Sequence, residues 1–144
     1  MIEFTVPGIP VAQPRQRVRV ANFGGRVVAQ NYTPQGSPVN AFKAAVRNSF
    51  PKGEPATEEP VTLLLRFVFP RPASKTKKRG GNPRLPKVSK PDCDNLAKSV
   101  QDALNGIAWR DDSQVWNLQV WKIIGEPGET SRVDVAISTA VSPQ

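Results

Sequence analysis

The stretch Val61 to Phe69, VTLLLRFVF, is apolar at nearly every position, with Arg66 as its one charged residue. Alternation would leave one face of a strand polar; a continuous apolar run needs cover on both faces, so this segment predicts a central strand. Other elements must then pack around it. Ile2 to Val6 alternates weakly and ends in Pro7 and Pro10, which reads as a first strand. Gln13 to Val20 carries Arg15, Arg17 and Arg19 at period two, so in a strand they share one face. Asn22 to Gly25 is a turn signal, with Arg26 to Ala29 as the returning partner.

Two helices follow from spacing and punctuation. Ser37-Pro38 places a favoured N-cap before a favoured first helical residue, and Val39, Phe42, Val46 and Phe50 recur at helical spacing to about Ser49. Lys43 and Arg47 then lie on a solvated face. The second helix spans Cys93 to Asn105, stopped by Gly106, with Leu96, Val100, Ala103, Leu104 and Ile107 as its buried stripe. After it, Trp116, Leu118 and Val120 predict a half-buried strand, and Val133, Val135 and Ile137 the inward face of a last one. The segment Pro70 to Pro91, with five prolines and most of the charge, predicts a long, mobile basic loop. The expected fold is α+β: one mixed sheet packed by two helices, in a single domain over residues 1–144.

Charge is distributed unevenly. Residues 1–91 carry 16 basic and 4 acidic side chains, whereas residues 92–144 carry 4 and 8. The net charge is +8, and no acidic residue occurs from Phe4 to Gly53. A basic surface of this kind attracts a polyanion, and nucleic acid is the partner it predicts. The chain has no histidine, which excludes His-based triads, His general bases and His-ligated zinc. A single cysteine, Cys93, excludes an internal disulfide and a thiolate zinc site, and fits a reducing cytoplasm. No apolar run approaches a membrane span, and the start MIEFTVPGIPV lacks the charged and apolar regions of a signal peptide.

Hard oxygen ligation by Asp and Glu is the metal chemistry that survives. Asp92 and Asp94 bracket the start of the second helix, and Asp111 and Asp112 lie just past its end. Either pair alone reads as helix caps or a surface turn. Together, and beside nine Lys or Arg between Arg66 and Pro91, they are what a metal-dependent nuclease requires. If the turn after the helix folds back, Asp111 or Asp112 reaches the first pair. Lys98 lies one turn after Asp94 and is either an ordinary surface ion-pair partner or a cation beside a scissile phosphate. Asp102 reads as its ion-pair partner, and Trp109 as a packing anchor for the turn.

The run Asp92-Cys93-Asp94-Asn95-Leu96, then Lys98, Asp102-Ala103-Leu104 and Trp109-Arg110-Asp111-Asp112-Ser113-Gln114-Val115, resembles the RusA family of Holliday junction resolvases. That family carries a D-x-D-N-L-x-K helix, a D-A-L ending and a W-x-D-D-x-Q-V turn. The opening PGIPVAQPRQRVRV also resembles its members, whereas Glu54 to Lys90 matches only in character. The resemblance implies metal binding and catalysis by Asp92, Asp94 and Asp112, with Asp111 a further candidate ligand and Lys98 the essential lysine. It implies a magnesium-dependent homodimer, also served by manganese, that cuts four-way DNA junctions by paired nicks in recombination and repair. Such proteins belong to the prokaryotic cytoplasm and are typically encoded by phages or prophages. Arg15, Arg17, Arg19, Arg71, Lys75, Lys77, Lys78, Arg79, Lys87 and Lys90 are the expected DNA contacts. Two other readings of the same residues stay open: a non-catalytic nucleic-acid-binding protein, and a magnesium nuclease acting on other branched DNA.

Overall fold

Val61–Phe69 forms β4, the middle strand of a five-stranded mixed sheet in a computed structural model that describes residues 1–14, 17–32 and 37–139. The sheet order is β1(Ile2–Pro7), β7(Arg132–Ser138), β4, β6(Val115–Ile124), β5(Leu85–Pro86). β4 runs parallel to β6, and the other neighbours are antiparallel. Helices α1(Pro38–Ser49) and α2(Cys93–Leu104) both bury an apolar stripe, and the α+β architecture matches the sequence expectation. Val61, Leu63, Leu65, Phe67 and Phe69 alternate onto the core side of β4, where they meet Val133, Val135 and Ile137 of β7 and the stripes of α1 and α2. Deleting a buried Leu side chain from such a core costs about 2–5 kcal/mol. Among the described residues, no helix is long and apolar enough to cross a membrane.

Two departures from the sequence expectation matter for the site. First, β2(Arg17–Phe23) and β3(Arg26–Tyr32) form a separate two-stranded sheet, longer on its return than Arg26 to Ala29. Its turn uses Gly24 and Gly25 at φ 58° and 87°, with the Gly25 amide donating to Asn22 Oδ1 at 3.1 Å. Two consecutive positive φ angles are what a tight hairpin turn demands. The backbone seats Arg17 opposite Tyr32 and Arg19 opposite Gln30; Arg15 lies outside the described residues.

Second, the basic segment after β4 is a built structure rather than featureless loop. The Arg71 guanidinium donates to the carbonyls of Lys75 (2.8 Å), Pro83 (2.7 Å) and Gly125 (3.3 Å). Lys77 and Asn82 exchange hydrogen bonds at 2.8 and 3.1 Å. Leu85 and Pro86 pair with Ile124 and Ile123, so a short strand closes the sheet edge. Arg71, an expected DNA contact, holds its own loop through these bonds. Its five-donor fork can satisfy several carbonyls at once.

The β6–β7 connection is held by one carboxylate. Glu129 receives Arg84, Arg132 (3.2 Å) and the Glu126 amide (2.8 Å). Those donors, Arg84 foremost, lower its pKa to about 2. Its stabilising effect is therefore complete above its usual value of 4.5 and fades as pH falls towards 2. Glu129→Gln is expected to cost about 2 kcal/mol at pH 7, read by urea unfolding, and much less at pH 3. An equal loss at both pH values would show that the charge of Glu129 is not what holds the connection.

Candidate active site

At the start of α2, Asp92 is not committed to the helix. Asp92 has the backbone of an N-cap, but its side chain makes no capping hydrogen bond. Its Oδ2 accepts from Lys90 Nζ at 3.0 Å, an exposed pair. Asp94 Oδ1 accepts the neighbouring Asn95 amide at 2.9 Å. The bland reading, in which these residues exist to cap α2, therefore fails for Asp92. Two contacts fix where this helix begins. Lys122 of β6 donates to the Ser89 and Pro91 carbonyls at 2.7 Å each, and the Gln13 amide donates to the Asn95 carbonyl at 2.9 Å. Gln13 is buried, and its Oε1 has no hydrogen-bond partner. Neither role was legible in the sequence, because each depends on a partner far along the chain.

The far end of α2 leads into a tightly bonded turn. Asp111 caps the 3-10 turn Asp112–Gln114: its Oδ2 accepts the Ser113 amide at 2.9 Å while Gln114 Oε1 accepts the Asp111 amide. Hydrogen bonding from Ser113 holds the Asp111 carboxyl below its ordinary pKa. Gln114 Nε2 donates in turn to the Thr57 and Glu59 carbonyls at 2.9 Å, fastening the turn to the 53–60 loop. Asp111 thus has a structural task.

Asp112 is different. The fully buried Trp109 donates its indole N–H to Asp112 Oδ1 at 2.8 Å, so the packing anchor also aims a carboxylate. Burial raises the Asp112 pKa; the Trp109 bond opposes this, Asp102 and Asp111 add to it, and Lys98 opposes it. Lys98 Nζ lies 3.4 Å from Asp102 Oδ1, and Lys43 of α1 lies 3.7 Å from Asp102 Oδ2. Asp102 is therefore the partner of Lys98, as its spacing implied. Lys43, expected on a solvated face, is instead a second cation at the α1–α2 contact. Only the packing of α1 on α2 could reveal it.

Among the described residues, no group of three or more Asp, Glu or Cys side chains is arranged to hold a metal ion. The turn brings Asp112 within reach of the charges of Lys98 and Asp102; Asp112 is engaged by Trp109, Asp92 by Lys90 and Asp94 by Asn95. Like charges have no reason to converge without a cation between them. The donor chemistry nonetheless fits a hard divalent ion. The ligands are carboxylate oxygens, the Lys90–Asp92 pair is exposed, and Asp112 feels the negative charge of Asp102 and Asp111, which a cation relieves.

The basic residues fall into two groups. Lys75, Lys77, Lys78 and Arg79 are exposed on the ordered loop. Lys87 lies 5.0 Å from the Phe69 ring centroid and donates to Ser89, and Lys90 reaches Asp92, so these two face the protein as well as solvent.

Comparison with known proteins agrees with the motif. A protein of Bacillus subtilis strain 168, the uncharacterized protein YqaN, is 36% identical over 141 residues, covering 94% of each chain. Residues 7–138 match the family described as Endodeoxyribonuclease RusA, a span that contains both helices, the whole basic segment and both acidic pairs. A match of that extent leaves no part of the site outside it, and the chain belongs to the RusA endodeoxyribonuclease family.

Proposed function

We propose that this protein is a structure-selective endodeoxyribonuclease that resolves four-way DNA junctions by paired nicks, acting as a homodimer in recombination and repair. The observation that carries this reading is the family match over residues 7–138, which spans Asp92, Asp94, Lys98 and Asp112 in one continuous stretch. A four-way junction has two-fold symmetry, so a C2 dimer places one site on each of two opposed strands. Asp92, Asp94 and Asp112 would hold magnesium or manganese, with Asp111 supporting Asp112 through its cap. When bound, such an ion supplies a water of lowered pKa and neutralises phosphate charge.

The chain's own groups have separable tasks. Trp109 holds Asp112 in one orientation. Lys98, 61% exposed and beside Asp112 and Asp102, supports the charge that develops on the scissile phosphate. The loop cations Lys75, Lys77, Lys78 and Arg79, with Arg15, Arg17, Arg19, Lys87 and Lys90, hold the flanking backbone, while Arg71 keeps that loop in shape.

The test is nicking of a synthetic four-way junction with and without magnesium or manganese, beside a flap and a linear duplex. Symmetric nicks in the junction alone, dependent on the ion, are expected. Binding without nicks under every ion would return the protein to the class of non-catalytic DNA-binding proteins, and equal cutting of flaps would widen its substrate. Replacing Lys77, Lys78 and Arg79 together with Ala should flatten the salt dependence of junction binding, by about 0.9 in log–log slope for each phosphate that is no longer neutralised. An unchanged slope removes these three from the DNA-binding surface.

A further inference from the structure

Two large apolar side chains beside the acidic turn have no role in the core. Trp116 is 50% exposed and Leu118 42% exposed, on the strand that the sequence predicts to be half-buried. Val61 pairs with Val115 but Thr62 pairs with Asn117, so Trp116 is an extra residue in the β4–β6 ladder. Isolated exposed apolar residues are ordinary. These two share a face. A bulge sets two residues opposite one, which puts Val115 and Trp116 across from the core residue Val61. Leu118 pairs with Leu63, also core, so it lies on the same side of the sheet, the side that carries α2. Trp121, 55% exposed, pairs instead with Arg66 and alternates to the opposite face.

Trp116 follows Asp112 by four residues, so its Cα lies within about 15 Å of that of Asp112. An exposed indole with an aliphatic neighbour, next to a site read as acting on phosphodiesters in a chain of net charge +8, suits one kind of occupant. A nucleobase has a flat apolar face and is tethered to the phosphates that the cations hold. Duplex DNA hides those faces by stacking, whereas the bases at an open crossover lose a stacking neighbour.

We infer that Trp116, flanked by Leu118, is a stacking platform for a base at the crossover point of branched DNA. The inference rests on the junction-cleaving reading above and assigns it a selectivity device distinct from the carboxylates. Affinity for a four-way junction and for a linear duplex of equal length should be measured in EDTA. The proteins compared are wild type, Trp116→Ala, Trp116→Phe and Trp121→Ala. A junction strand carrying 2-aminopurine at the crossover reports on base stacking in the same titration.

Trp116→Ala is expected to weaken junction binding about tenfold or more while leaving duplex binding unchanged. Its 2-aminopurine response should vanish. Trp116→Phe should retain both signals, and Trp121→Ala should match wild type. A Trp116→Ala variant that binds the junction as wild type does, or is weakened equally on duplex, overturns the platform. So does a Trp116→Ala variant that no longer folds, because Trp116 would then be a core residue, or one whose sedimentation shows a dissociated oligomer, because a second copy would then cover this face. A wild type without junction preference overturns the functional reading and the platform together; a wild type with that preference and an indifferent Trp116→Ala overturns the platform alone.

Discussion

Asp94→Asn is expected to abolish junction cleavage, with a single-turnover rate reduced on the order of a thousandfold or more, equivalent to about 4 kcal/mol of barrier. The fold should be untouched. Asp94 Oδ1 accepts the Asn95 amide, and the asparagine side chain retains an oxygen for that bond. The change removes one negative charge at the positive end of the α2 dipole, worth about 0.3–1 kcal/mol. Junction affinity in EDTA should be equal or tighter, since a negative charge has been taken away from a phosphate-binding surface. The informative measurement is cleavage under saturating enzyme with a parallel binding curve. A variant that cuts within tenfold of wild type would remove Asp94 from the catalytic carboxylates, whatever the standing of Asp92 and Asp112.

Lys98→Ala is expected to slow single-turnover cleavage about a hundredfold without loss of stability or junction binding. The side chain is 61% exposed and projects from α2 away from the buried Leu96, Val100 and Leu104. As an i, i+4 partner of Asp102 it contributes less than about 1 kcal/mol, and Asp102 keeps Lys43 when Lys98 is gone. A thermal melt should therefore barely move while the rate collapses. Normal cleavage by a folded Lys98→Ala would reduce Lys98 to a helix-surface ion pair. A large fall in melting temperature would instead mean that the Lys43–Asp102–Lys98 group clamps α1 to α2.

These two substitutions divide the work of the site. Asp94 tests whether carboxylates at the helix start carry the chemistry, and Lys98 tests whether a cation one turn on supports the charge that follows. Both depend on α2 being placed by contacts from elsewhere. Lys122 of β6 holds the Ser89 and Pro91 carbonyls, Gln13 holds Asn95, and Gln114 holds the 57–59 backbone.

Local features were legible in the order of amino acids alone. The nine-residue apolar run became β4 with the expected ends, and the Leu96–Leu104 stripe became the buried face of α2, because period and punctuation depend on neighbours within a few residues. The acidic motif could be recognised for the same reason: its residues occupy one short stretch. Features that need a partner distant in the chain emerged only on folding. The task of Arg71 in its own loop emerged only when the Pro83 and Gly125 carbonyls were brought to it. Lys43 read as solvated until α1 met α2 at Asp102. Trp109 is the packing anchor it read as, but the bond from its indole N–H to Asp112 emerged only on folding. Trp116 and Leu118 share the core-side face that alternation implies, yet both stand half exposed, because cover for a strand comes from other segments. Periodicity reports which face a residue prefers, whereas hydrogen-bond partners and strand register are fixed by pairings between segments, which no single segment encodes.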